Sequence, residues 1–149
     1  MKNRFLFLTA VIALAFGPAI SAQAAEKDAP ETELGAKMEK MSSAWRVAKR
    51  QLPDSSKNAD TLAKLAVVKE NMEASLKLEP EIKKEKPAAE QAKFVADYQA
   101  SMKAEIKKVD EMIALVKAGK NDEAAKLAGV IDQDQKDAHT QLKKQKKKS

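Results

Sequence analysis

The chain lacks cysteine, and among its 149 residues it has only one histidine, four glycines and five prolines. Without cysteine, disulfides, thiolate metal sites, iron–sulfur clusters and haem bound covalently through paired cysteines are excluded. A single histidine argues against most catalytic triads and against histidine-rich metal sites. The scarcity of turn-forming residues argues against an all-β architecture. A chain of this length, 34% charged and 44% hydrophobic, is therefore predicted to form one helical domain.

Residues 1–24 have the three parts of a secretory signal peptide. Lys2 and Arg4 supply the positive charge, residues 5–16 form the apolar run, and the segment ends in Ala-Gln-Ala, which suits a signal peptidase. The apolar run of about 12 residues is shorter than the roughly 20 that a membrane-spanning helix needs. We therefore expect a cleaved signal, no stable membrane insertion, and export of residues 25–149.

The positive charge of the chain is concentrated at its C-terminus. Loss of Lys2 and Arg4 with the signal would take two charges from the formal net charge of +6 and leave +4. The five lysines between Lys143 and Lys148 carry a charge of +5, so residues 25–142 have a formal net charge of −1. A duplex binder spreads basic residues over one face, and we expect no nucleic-acid partner. The lysine-rich tail is either a solvated helix end or an electrostatic docking site for an acidic partner protein.

Apolar residues recur every three or four positions in four segments, which is the period of amphipathic α-helices. The first helix is predicted from Pro30 to about Gln51 and is ended by Pro53. The second is predicted from Asp60, as its N-cap, to about Leu78. The charged stretch from Glu79 to Pro87 is predicted to be a long exposed connection.

The third helix is predicted from near Ala88 to just before Gly119, which suits the C′ position of its cap. Asn121 is predicted to cap the fourth helix. The short connections between the first and second helices, and between the third and fourth, predict an all-α, antiparallel up-down-up-down four-helix bundle. The residues that these periods turn inward are Leu34, Met38, Met41, Trp45, Ala48 and Leu52, then Leu62, Leu65, Ala66, Met72 and Leu76, then Phe94, Tyr98, Met102, Ile106, Val109, Ile113 and Val116, and finally Ala124, Leu127, Ala128, Ile131, Ala138 and Leu142.

The single histidine, His139, and one methionine, Met38, form the most informative pair. His139 lies about 20° from Ala128 in helical projection, so it is predicted to face the core. Met38 lies roughly 10 Å into the first helix, and His139 roughly 12 Å before the end of the fourth. These two helix ends lie together in the predicted bundle. Each residue alone suits ordinary packing, but a thioether and an imidazole that face each other are a possible axial pair for haem iron.

At these residues the sequence resembles the cytochrome b562 family. The run Leu-Gly-Ala-Lys-Met-Glu-Lys-Met-Ser-Ser-Ala-Trp at residues 34–45 is similar to the family's first helix, with Met38 in the ligand position. The run Ala-Gly-Lys-Asn-Asp-Glu-Ala-Ala at residues 118–125 is similar to its third turn, and His139 follows at the family's spacing. Tyr98 falls where the family has an aromatic residue that lines the haem pocket.

The resemblance covers residues 31–145 and implies a periplasmic protein with one non-covalent b-type haem, its iron bound by Met38 and His139. Two protein ligands would leave no open position on the iron, so the expected role is single-electron transfer to a soluble redox partner by a monomer that is not an enzyme. Met41 is a possible substitute ligand, but it points about 60° away from the direction of Met38.

Two positions depart from the family pattern. Gln135 and Lys143 stand where the family has arginines one turn on either side of the histidine. Lys143 retains a positive charge that can approach a haem propionate, whereas Gln135 does not. The alternative is a haem-free periplasmic bundle that acts by partner binding or in envelope stress protection. Its support is the high charge, the few aromatic residues and Gln135.

Overall fold

The computed structural model describes residues 32–146, with side chains as far as Thr140. It contains four α-helices, α1 (Glu33–Gln51), α2 (Asn58–Ser75), α3 (Ala88–Lys117) and α4 (Asn121–Lys146). Within the described residues there is no β-strand. The antiparallel four-helix bundle is confirmed. The signal peptide, the expected helix start at Pro30 and the side chains of the lysine-rich tail lie outside the described residues.

Two helix starts differ from the sequence prediction. The Thr32 side chain caps α1 by accepting a hydrogen bond from the Gly35 backbone N–H at 2.9 Å. Helix α2 begins at Asn58, so Asp60 lies inside its first turn and is not the cap. The Asp60 carboxylate instead accepts a hydrogen bond from Gln51 Nε2 at 2.6 Å, which ties the end of α1 to the start of α2.

The connection between α2 and α3 is longer and more structured than predicted. Helix α2 ends at Ser75, three residues before the expected Leu78, and the stretch Glu81–Glu85 forms a 3-10 helix. Lys83 pairs with Glu79 at 2.6 Å across one turn of this segment. Local hydrogen bonds therefore order a stretch that its prolines and charges mark as a connection.

The turn between α3 and α4 has the predicted glycine cap. Gly119 adopts φ 71°, in the left-handed region where a side chain is disfavoured. The Lys120 N–H donates to the Leu115 carbonyl at 2.9 Å, and the Gly119 N–H donates to the Val116 carbonyl at 3.1 Å. This pair of bonds is a Schellman motif, and it satisfies carbonyls that the helix end would otherwise leave unpaired.

The hydrophobic core lies towards one end of the bundle, which we call the closed end, where α1 and α3 finish and α2 and α4 begin. Val68 and Met112 are buried there, whereas the predicted Ala66 is exposed and Ile113 is half-buried. The buried apolar residues of the described chain are Ala44, Trp45, Ala48, Leu52, Leu65, Val68, Met72, Val109, Met112, Val116, Ala124, Ala128 and Ile131. Of these, Met72 lies near the last turn of α2, towards the opposite end of the bundle.

At the opposite end, the open end, the predicted inner faces of α1 and α3 are only partly covered. The half-buried apolar residues there are Leu34, Met38, Met41, Phe94, Tyr98, Met102 and Ile106. No helix within residues 32–146 combines the length and hydropathy that spanning a membrane requires.

Asn121 and Asn58 join all four helices at the closed end. The buried Asn121 amide donates to the Leu52 carbonyl at 2.6 Å and to Asn58 Oδ1 at 2.8 Å. Asn58 Nδ2 in turn lies 3.3 Å from the Val116 carbonyl. Asn121 is thus the first residue of α4, with its side chain directed to the other helices, and it is not the N-cap predicted from the sequence.

Candidate functional site

Helices α1 and α4 are joined by three side chains, Trp45, Lys49 and Asp132, which we call the α1–α4 clasp. Trp45 Nε1 donates a hydrogen bond to Asp132 Oδ1 at 2.9 Å. Lys49 Nζ lies 2.9 Å from Asp132 Oδ1 and 2.6 Å from Oδ2. The same ammonium lies 5.7 Å from the centre of the Trp45 ring, within cation–π range. One carboxylate therefore accepts bonds from two residues one turn apart on α1.

The burial of Trp45 explains why the clasp forms. The residue is only 4% exposed, and a buried indole N–H needs an acceptor. Asp132, next to the buried Ile131 on α4, supplies that acceptor. Burial opposes the charge of Asp132, but hydrogen bonds from Lys49 and Trp45 and the positive charge of Lys49 outweigh it, so the pKa of Asp132 lies below its usual value. The carboxylate is therefore charged at neutral pH.

The clasp marks which levels of α1 and α4 lie side by side. Because the two helices are antiparallel, seven residues back from Trp45 and seven residues on from Asp132 lead to the same level of the bundle. Those positions are Met38 and His139. Seven residues are two turns with a rotation of about 20°, or roughly 10 Å along each axis. Met38 and His139 are therefore opposite positions of the antiparallel pair, at the open end.

The structure corrects one expectation about His139. The residue was predicted to face the core, but its side chain is exposed, as are all residues from 136 to 140. His139 nevertheless lies on the predicted side of α4. Ala128, which is about 20° from His139 in helical projection, is only 4% exposed. The difference is in what covers that face. Between Gln135 and Thr140 the only apolar residue is Ala138, which offers too little apolar area to hold the helix against its neighbours.

Tyr98 and Met38 are half-buried at the open end. The Tyr98 hydroxyl donates to the Ser75 carbonyl at 3.2 Å, which anchors α3 to the last turn of α2. Burial of the ring raises the pKa of Tyr98 above its usual value. Gln135 is half-buried, and the side chain of Lys143 lies outside the described residues.

The model of the cytochrome b562 family matches residues 33–143, which include α1, α2, α3, most of α4 and the four predicted site residues. The chain belongs to the cytochrome b562 family. Members of this family are haem-binding electron-carrier proteins. No individual characterised protein and no solved structure shows significant similarity to the chain.

The residues at the open end of this cytochrome b562 family member fit a b-type haem in chemistry and in register. Met38 and His139 offer a thioether and an imidazole, the donor types that bind haem iron in cytochromes. Among the described residues, no cluster of three or more His, Asp or Glu side chains suits a different metal centre. The half-buried apolar side chains of α1 and α3 suit the faces of a flat apolar ring, because such ligands bind in predominantly apolar clefts.

A hollow of about 390 Å³ lies at the same end, between the start of α1 and the α2–α3 connection. Its lining includes Leu34, Leu78 and Pro80, whereas Met38, Tyr98 and His139 do not line it. The hollow therefore borders the site predicted for this family member and is not the site itself.

The α1–α4 clasp and the Asn58–Asn121 pair were not predicted from the sequence. A signal for the clasp is present, because Asp132 directly follows the buried Ile131, and a carboxylate at the edge of an apolar face needs a donor. Its spacing of seven residues from His139 matches that of Trp45 from Met38. No comparable pattern marks Asn58, which follows a run of polar residues at the start of α2.

Proposed function

We propose that this cytochrome b562 family member binds one non-covalent b-type haem at the open end, with Met38 and His139 as axial ligands, and carries single electrons in the periplasm. The observation that supports the ligand pair most directly is the Trp45–Asp132 hydrogen bond, because Met38 and His139 each lie seven residues from one of its partners, towards the same end of antiparallel helices. The family match supports the cofactor.

Each site residue has a distinct role in this proposal. The haem supplies reversible one-electron chemistry at its iron. The His139 imidazole is the stronger donor and determines most of the affinity, whereas the Met38 thioether favours the reduced state. Tyr98, held by the Ser75 carbonyl, covers the edge of the site and excludes water. Lys143 is proposed to approach a propionate as a point charge.

Substitution of the ligands tests the proposal. We expect wild-type protein titrated with haem under reducing conditions to form a tight six-coordinate, low-spin complex. His139→Ala should lower the haem affinity severely, because it removes the stronger axial bond. Met38→Ala should lower it less and convert the reduced spectrum to high spin, because the iron would lose its second protein ligand and its sixth position would be open to water or added ligands. Absorbance titration measures both effects.

Met41→Ala is the matched control for Met38→Ala. Met41 is also half-buried on α1, but it lies about 60° from Met38 in projection and should not ligate while Met38 is present. Its substitution should leave the low-spin spectrum unchanged. If wild-type protein forms no six-coordinate complex, the haem proposal is wrong, and the haem-free alternative of partner binding or envelope protection is the better account.

The location and the partner are part of the same proposal. We place the protein in the periplasm, and mass spectrometry of exported protein should show a chain that begins at Ala25. The lysines from Lys143 to Lys148 would attract an acidic, soluble redox partner. Replacing them with glutamine should slow association at low salt and reduce its dependence on ionic strength, without loss of the fold. An association rate that is unchanged at low salt would leave the tail without a docking role.

A further inference from the structure

We propose that the α1–α4 clasp of Trp45, Lys49 and Asp132 is a positioning device that fixes the register of the two ligand helices. This inference rests on the proposed function, because it concerns how Met38 and His139 are brought opposite each other. None of the three clasp residues is proposed to touch the haem. They act through the helices that carry the ligands.

A device of this kind is needed because α1 and α4 are not consecutive in the chain. Short turns fix the pairing of α1 with α2 and of α3 with α4, whereas no such turn joins α1 to α4. At the closed end, Asn121 on α4 donates to the Leu52 carbonyl just after α1. The clasp is the next polar link towards the open end. A slip of one turn, about 5.4 Å, would place Met38 opposite residue 135 or 143 in place of His139.

The chemistry of the clasp resists such a slip. Trp45 is 4% exposed, so its indole N–H would lose its acceptor inside the protein if Asp132 moved by one turn. An unpaired buried donor is costly. Lys49 adds a second, charged donor to the same carboxylate from one turn further along α1. Two donors that share one acceptor constrain both the axial position of α1 relative to α4 and the rotation of each helix about its axis.

The bundle contains a matched ion pair that does not join the ligand helices. Lys69 on α2 lies 2.6 Å from Asp110 on α3, and the side chains are 33% and 48% exposed. In the clasp, Lys49 lies 2.6 Å from Asp132, with exposures of 31% and 42%. Asp110→Asn therefore removes a pair of the same length and similar exposure, and it is the control for Asp132→Asn.

The first experiment compares haem binding by the two variants. Asp132→Asn should lower haem affinity about tenfold, in line with the loss of a charge-assisted hydrogen bond, and should increase the high-spin fraction of the reduced complex. Asp110→Asn should change the affinity less than about twofold. Trp45→Phe, which keeps a ring in the core and removes only the N–H donor, should resemble Asp132→Asn in its spectrum.

The second experiment needs no haem and uses the absence of native cysteine. Met38→Cys combined with His139→Cys should be joined efficiently by a short bis-maleimide, whereas Leu34→Cys with His139→Cys, one turn out of register, should react more slowly. Asp132→Asn added to both pairs should reduce this preference, and Asp110→Asn should not.

The outcomes separate the two proposals. If wild-type protein forms the six-coordinate complex but Asp132→Asn loses no more affinity than Asp110→Asn, the clasp does not position the ligands and the proposed function stands. If crosslinking prefers the 38/139 pair equally with and without Asp132, the clasp does not set the register. If the wild type forms no complex, the proposed function is wrong, and the clasp then has no ligands to position. Crosslinking would still show whether the clasp sets the helix register.

Discussion

Asn121 is a polar residue buried among the helix ends, and its amide hydrogens bond to the Leu52 carbonyl and to Asn58. In Asn121→Ala the Leu52 carbonyl loses a partner in a site that water does not readily reach. We expect a loss of about 1–3 kcal/mol in the free energy of unfolding, the usual cost of an unsatisfied buried group. Urea denaturation followed by circular dichroism measures it.

The control for Asn121→Ala is Gln133→Ala on the same helix. The exposed Gln133 amide donates to the exposed Asp137 of its own helix at 3.0 Å, and the loss of this side chain should change stability by less than about 0.5 kcal/mol. Both variants should bind haem as the wild type does, because neither residue lies at the open end. Equal stability of the two variants would contradict the role assigned to the Asn58–Asn121 pair.

At the scale of the helices, two glycines of the same chain should respond to alanine with opposite signs. Gly119 has φ +71° at the end of α3, whereas Gly129 lies inside α4, and an added Cβ has no neighbour within 4 Å at either position. Gly119→Ala should destabilise the bundle by about 1–2 kcal/mol, since only backbone conformation opposes it. Gly129→Ala should stabilise it by about 0.5–1 kcal/mol through helix propensity. Thermal unfolding of both variants measures the contrast, and a loss at Gly129 would contradict it.

The helices were predictable from the sequence because local patterns determine them. The period of three and four, Gly119 and the charged connection suffice for four helices and their antiparallel order. The period alone does not determine which of two adjacent residues faces the core. Met112 is buried where Ile113 was expected, because the two residues are only 100° apart on the helix and the neighbouring helices decide which of them is covered.

The candidate site was predictable in part. Met38 and His139 follow from the helix ends that an antiparallel bundle brings together, and the clasp independently supports that register. The exposure of His139 was not predictable from its face alone. It depends on how far α4 is held against α1 beyond Asp132, which is a property of tertiary packing. The links between Asn58 and Asn121 and between Trp45 and Asp132 are long-range contacts that periodicity does not report.

The whole molecule is divided between a well-packed closed end and a less covered open end. Buried apolar residues from all four helices meet at the closed end, whereas residues 136–140 of α4 are exposed. Backbone hydrogen bonds in segments with few buried contacts open most readily. In haem-free protein we therefore expect amide hydrogen exchange to be slow at residues 109–116 and 124–131 and fast at residues 33–41 and 136–146.

Haem should change this pattern at one end only. A group that binds the folded bundle stabilises the segments that hold it, and coordination by His139 requires its exposed imidazole to become covered. Exchange should therefore slow at least tenfold at residues 33–41 and 136–146 when haem is added, with little change at residues 109–116. Mass spectrometry of exchanged peptides measures both ends in one experiment. The double variant Met38→Ala/His139→Ala is the control, and its open end should stay unprotected in the presence of haem. Protection that develops only at the closed end would place the haem away from Met38 and His139, whatever the spectrum of the complex.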